Sequence, residues 1–133
     1  MDEVLKILKE NVNGFLATVE DGMPRVRPFG FMLEEDGKLF FCTNSLKDVY
    51  RQLQTVPYIE YTAVTKDMVT IRVRGKINFC EDIDMKKKVL ELHEPVKKGY
   101  KSPDNPIFKV FYIEHGTAII SDFSGNPPRK IEF

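Results

Sequence analysis

Two short stretches of the chain hold residues that could bind an anion. The first is PRVRPFGF, residues 24 to 31. Read as an extended strand, whose side chains alternate between faces, it sets Arg25, Arg27, Phe29 and Phe31 on one side and Val26, Pro28, Gly30 and Met32 on the other. A solvent face has no use for the rings and a core face does not tolerate the charges. The second stretch is FFCTNSLKDVYRQL, residues 40 to 53, where the pattern changes from strand to helix after Thr43. A helix start carries free backbone N–H groups and the positive end of the macrodipole. Thr43, Asn44 and Ser45 add side-chain donors. Lys47, expected in the first helical turn, is a cation where the dipole alone disfavours one, and a bound phosphate offsets that. A hairpin that sets the arginine strand beside the strand feeding the helix lets Arg25 or Arg27, Thr43, Ser45 and Lys47 converge on one dianion. Each stretch alone also has a plainer reading: Ser, Thr and Asn cap helices, and arginines keep edge strands from pairing.

The elements that must position these residues follow from period and turn signals. Residues 2 to 12 read as a short helix with Val4, Leu5, Leu8 and Val12 in one stripe, stopped by Asn13-Gly14. Three strands follow, FLATVE, the arginine strand over 24 to 33, and KLFFCT, turned at Asp21-Gly22 and Asp36-Gly37, so the expectation is a three-stranded meander. The helix after Asn44 or Ser45 presents Leu46, Val49, Tyr50 and Leu53 and ends at Pro57. YIEYTAV is the fourth strand, and residues 68 to 79 the fifth, with Val69, Ile71, Val73, Ile77 and Phe79 opposite Thr70, Arg72, Arg74, Lys76 and Asn78. Residues 83 to 93 are helical, EPVKKGYKSPDNP is a polar loop, IFKVFYIE and TAIISDF are two strands turned at His115-Gly116, and SGNPPRKIEF is an irregular tail. Six or seven strands with short hairpins and a few small helices make a mainly β fold, a barrel decorated with helices.

The chain has 133 residues, enough for one compact domain with a real core, taken as residues 1 to 133. Lys plus Arg and Asp plus Glu are both 20, so the net charge is zero, which argues against broad nucleic-acid binding. The acidic start MDEVLKILKEN is not a secretory signal, and no segment is long and apolar enough for a membrane span, so a cytoplasmic location is expected. Cys42 and Cys80 stand apart and read as reduced thiols. His93 and His115 are isolated; there is no zinc spacing, P-loop or GxSxG elbow, and no paired carboxylates or nucleophile beside a base. Chemistry would therefore have to come from a cofactor.

FLATVEDGMPRVRPFGFMLEEDGKLFFCTNSLKDVYRQLQ, continuing through VTIRVRGKINF and on to ISDFSG, resembles the flavin-binding split-barrel family related to pyridoxamine 5′-phosphate oxidase, and most of all its short members similar to nitroimidazole-resistance proteins. The resemblance implies a six-stranded antiparallel split barrel, a homodimer, and FMN at the dimer interface. It places Arg25-Val26-Arg27-Pro28-Phe29 along the flavin ring and ribityl chain, with one of the two arginines on the phosphate. Cys42-Thr43 and Ser45-Leu46-Lys47 match the phosphate-holding stretches, and Thr70, five before Gly75, matches a residue that touches the ring. Arginines beside phenylalanines then suit a ligand with an anionic end and a flat aromatic end. Leu46 replaces a familiar arginine, and the longer C-terminal segment that binds pyridoxal phosphate in the true oxidases has no counterpart, which argues against that activity. The implied function is an FMN-dependent oxidoreductase passing hydride from a reduced nicotinamide or similar donor to a small-molecule acceptor such as a nitroaromatic or a quinone. The alternative is a flavin, haem or deazaflavin binding protein without turnover.

Overall fold

Two Asp-Gly pairs shape the start of the sheet. Asp21 and Gly22 have φ of 53° and 75°, and Asp36 and Gly37 have 53° and 78°, the left-handed pairs that two-residue hairpins need. They join β1 (Asn13–Glu20) to β2 (Met23–Gly30) and β3 (Leu33–Glu35) to β4 (Lys38–Asn44) in the computed structural model, which describes residues 1–133. The expected meander does not form. Strands run in the order β2-β1-β5-β6-β7-β4-β3, with β5 (Tyr58–Val64), β6 (Thr70–Cys80) and β7 (Phe108–Ser121) between the two hairpins. The chain leaves the sheet after Gly30 instead. Phe31 N–H donates to the Val12 carbonyl at 2.8 Å and Met32 N–H to the Phe40 carbonyl at 3.0 Å, so this crossing ties one edge to the other and closes the barrel.

Three further expectations are corrected. His115-Gly116 is no turn, because β7 runs unbroken past it and pairs with β6 on both sides. The register slips by one residue between Gly75 and Ile77, a bulge that restores the inward face further along the strand. Gly75 and Gly116 are opposed there, and a Cβ on Gly116 would lie 2.6 Å from the Arg74 carbonyl oxygen. The tail is not irregular throughout: β8 (Arg129–Glu132) pairs with the second half of β7. The polar loop contains a helix, α4 (Glu94–Tyr100), with Pro95 in its first turn and Val96 and Tyr100 on the core side. Eight strands thus stand where six or seven are expected: the short β3 and β8 are additions, and the two expected C-terminal strands merge into β7.

Apolar side chains divide between two cores. The barrel interior holds Leu16, Phe31, Phe41, Tyr61, Ile71, Val73, Phe111 and Ile113, closed by α1 (Asp2–Glu10) and α2 (Asp48–Thr55) through Val4, Leu8, Val49 and Leu53. Outside the barrel, α3 (Ile83–Leu92), capped by Asp82, packs Met85, Val89 and Leu90 on Leu33, Phe40, Phe108 and Val110. Strand β4 serves both cores, Phe41 facing in and Phe40 facing out. No helix is long and apolar enough to cross a membrane.

Candidate functional site

The end of β4 delivers Thr43 and Asn44 to a tight turn ahead of α2, and the geometry there differs from the sequence expectation. Lys47 is the N-cap residue of α2, just ahead of the first turn, and Asn44 caps no helix; its Oδ1 accepts from the Leu46 N–H at 3.0 Å. Ser45 N–H donates to the Ile107 carbonyl and Lys47 N–H to the Asn44 carbonyl. The amides of residues 45 to 47 are therefore occupied, and the ones without a backbone acceptor are those of Asp48 and Val49. Two features make the junction unfinished. Lys47 is exposed and has no carboxylate within ion-pair distance. Thr43, only 2 % exposed, has a buried hydroxyl oxygen with no hydrogen-bond partner. Native proteins pair such groups almost without exception, so this hydroxyl is waiting for an acceptor or donor.

The two arginines of β2 have different neighbours. Arg25 is exposed and lies 3.8 Å from Glu20. Arg27 reaches under α2: its guanidinium donates to Thr18 Oγ1 at 2.8 Å and Gln52 Oε1 at 2.7 Å, and Thr18 itself donates to Gln52. Thr18 and Gln52 are buried, and Arg27 is held by neutral acceptors with no carboxylate paired to it. Burial lowers its pKa and Asp48 in the first turn of α2 raises it. The network fixes α2 against β1 and β2 through Gln52 in the second helical turn. The rings of this strand face inward, Phe29 lying about 6 Å from Phe41 and Phe111 and Phe31 edge-on to Phe41. Phe31 is buried in the barrel core, and Phe29 packs against that core while also lining a cleft with Thr43 and Lys47.

Pro28, Phe29, Cys42, Thr43 and Lys47 line one cleft of about 320 Å³. β2 and β4 are not hydrogen-bonded neighbours, yet closure of the barrel brings them to the same opening. The other wall is Gly30, Met32, Pro95, Val96 and Tyr100. Tyr100 packs on Phe108, with ring centroids 4.6 Å apart and the planes tilted by 34°. Burial raises the Tyr100 pKa, and it raises the Cys42 thiol to about 12, so the thiol is neutral. Val26 points outward and is 69 % exposed. Thr70 is not part of the cleft. It pairs with Ser121 at one end of β6, whereas Thr43 sits beside Lys109 near Cys80 at the other, roughly 30 Å away along the strand. No cluster of His, Cys, Asp or Glu could hold a metal ion.

The open end of the split barrel gathers a lysine, a buried unpartnered hydroxyl and two amides without a backbone acceptor, a donor set whose chemistry suits an anion. The profile of the pyridoxamine 5′-phosphate oxidase family matches residues 1–116, and the chain belongs to that family. The structure is similar to a NimC/NimA family protein from Clostridium acetobutylicum, with 33% identity, a TM-score of 0.90, and coverage of 100% of this chain and 92% of that one. General Stress Protein 26 from Bacillus anthracis superposes with a TM-score of 0.83 at 21% identity, over 99% of this chain and 97% of the other. A pyridoxamine 5′-phosphate oxidase-related, FMN binding protein from Nostoc punctiforme gives 0.75 at 18% identity, over 97% and 85%. A search of curated proteins finds no match.

Proposed function

We propose that the chain binds FMN with its phosphate at the β4–α2 junction and acts as an FMN-dependent oxidoreductase on a small-molecule acceptor such as a nitroaromatic or a quinone. The observation that carries the reading is the Thr43 hydroxyl, buried without a partner beside the unpaired Lys47. A phosphate supplies acceptors for both, and for the amides of Asp48 and Val49 at the helix start. Ser45 borders the same turn, and Arg27 braces α2 from below through Gln52 in its second turn. Bound FMN supplies two-electron redox chemistry; the chain supplies binding, orientation and a dry wall. Phe29, Met32, Pro95, Val96 and Tyr100 make that wall, and the neutral Cys42 thiol beside them is no nucleophile at pH 7.

Dimer formation is part of the proposal. Phe15, Val26 and Tyr58 are each at least half exposed on the outer face of β1, β2 and β5, and Val64 nearly so. The register makes the patch continuous: Phe15 lies between Pro28 and Thr62, and Ala17 between Val26 and Glu60. Covering such a face with a second copy removes it from water. Thr70, opposite Val64 on that face, would then reach a cofactor only across the dimer. The donors at the β4–α2 junction suit a phosphate ester, which FMN carries and haem lacks, so flavin is the favoured group. The test is to identify the ligand that co-purifies by mass spectrometry, reduce the bound flavin without oxygen, and offer nitroaromatics and quinones. Reoxidation faster than that of free FMN supports the enzyme. Reoxidation no faster supports a carrier, and protein that stays colourless with added FMN removes the reading.

A further inference from the structure

The cleft at the β4–α2 junction shares Met32 with a second one of about 390 Å³, on the far side of the segment that closes the barrel. Five of its eight lining residues are apolar: Val12, Phe31, Leu33 and Leu92 join Met32, with Phe31 fully buried and Leu92 63 % exposed at the lip. Two cationic or donor groups face it, Lys9 from the last turn of α1 and His93 from the break between α3 and α4. Lys9 is exposed and has no carboxylate within ion-pair distance. The one acid in the lining, Glu34, accepts from the Gly37 N–H at 2.9 Å, and its neighbour Glu35 is paired with Lys88. Glu91 and Glu94, beside His93 in sequence, are exposed.

His93 Nε2 lies 2.6 Å from the Met32 carbonyl oxygen. A carbonyl only accepts, so Nε2 carries the hydrogen, and Nδ1 donates to a ligand oxygen only as the N–H of the imidazolium. The imidazole is thus fixed in orientation by the backbone of the crossing segment, and it does not cap α4. We propose that this second cleft binds a compact apolar molecule carrying one carboxylate, with the carboxylate on Lys9 and the Nδ1–H of the His93 imidazolium and the body on Val12, Met32 and Leu92. The volume suits a one- or two-ring body, at the lower end of ordinary ligand sites. One lysine and one imidazolium, with the Glu34 carboxylate also in the lining, leave one positive charge to match a single carboxylate, whereas the orphan hydroxyl, lysine and amides of the first cleft match a phosphate. The proposal stands on its own residues and does not depend on what fills the first cleft.

The probe is 2-naphthoate, titrated into the purified protein labelled with ¹³C at the methionine methyls. The Met32 methyl moves in a saturable way, while the exposed Met23 and Met68 methyls, outside the cleft, stay in place. Lys9→Ala and His93→Gln each raise the naphthoate Kd roughly tenfold, the loss of one charge-assisted contact; glutamine keeps an N–H for the Met32 carbonyl. Lys47→Ala, which acts on the first cleft, leaves that Kd unchanged. No saturable Met32 shift at millimolar naphthoate overturns the proposal. So does an unchanged Kd in both variants, or a Kd raised by Lys47→Ala, which would place the probe in the phosphate cleft.

Discussion

Thr43→Val changes one atom's chemistry and almost none of its shape, and the structure gives its two effects opposite consequences. The Thr43 hydroxyl is buried with no partner, and leaving such a group unpaired costs about 1–3 kcal/mol. Valine removes the hydroxyl, keeps the β-branch that suits the middle of a strand, and leaves no cavity. Flavin-free Thr43→Val protein should therefore be more stable by about 1–2 kcal/mol, which for a domain of this size raises Tm by roughly 3–6 °C. The same hydroxyl is assigned to the phosphate, and a hydrogen bond to a charged group contributes about 1.5–3 kcal/mol, so FMN should bind roughly 10- to 100-fold more weakly. Circular dichroism melts of the stripped protein and quenching of FMN fluorescence on titration read the two effects separately. A variant that gains stability but binds FMN as tightly as the parent shows that the hydroxyl does not touch the ligand. A variant that loses stability shows that the hydroxyl is already satisfied in the free protein, and the reasoning fails at its first step.

Other outcomes follow from the same geometry. Lys47→Ala should weaken FMN binding about tenfold, the low end of the charge-assisted range because the side chain is exposed, and the loss should shrink at high salt; calorimetric titration at two salt concentrations checks both. Alkaline pH should destabilise the fold, as followed by urea melts from pH 8 to 12. Burial raises Cys42 from 9.0 and Tyr61 from 10.0 to about 12 each, so the unfolded chain ionises first and the contribution, whole below about pH 9, is lost as pH rises towards 12. Val26→Arg, on the outer face of β2, should shift the protein from dimer to monomer in sedimentation velocity without lowering the monomer's Tm by more than about 0.5 kcal/mol equivalent.

Much of the fold was legible because its signals are local. The Asp-Gly turns, the alternation of β6 and the stripe of α1 each depend on a few neighbouring residues, and each was placed within a few residues. Three misreadings came from residues whose role is set at long range. His115-Gly116 has the composition of a turn, but Gly116 is small because the β6 backbone crosses 2.6 Å from where its Cβ would stand. Residues 94 to 100 look polar because α4 buries only one flank, Val96 and Tyr100, on a core built by β4 and β7. Barrel closure after Gly30 leaves no local mark, so the meander was the natural expectation. For the site, residue types suggest Arg25 or Arg27, Thr43, Ser45 and Lys47 around one anion; Thr43 and Lys47 share a cleft that neither arginine nor Ser45 lines, and β2 reaches it by closure across the barrel and not by a shared hairpin. Thr70 was placed by resemblance alone, and within one chain it lies at the far end of β6. The Arg27–Thr18–Gln52 network was missed because a guanidinium serving three elements looks, in sequence, the same as one serving a ligand.

The most direct measurement is the ratio of Kd values for FMN and riboflavin, which differ only by the phosphate, on the same stripped protein. A phosphate seated on Thr43, Lys47 and the α2 amides predicts that FMN binds at least roughly 100-fold more tightly, the effect of two charge-assisted contacts. Equal affinities for the two flavins would contradict the account, because the β4–α2 junction would then contribute nothing to holding the cofactor.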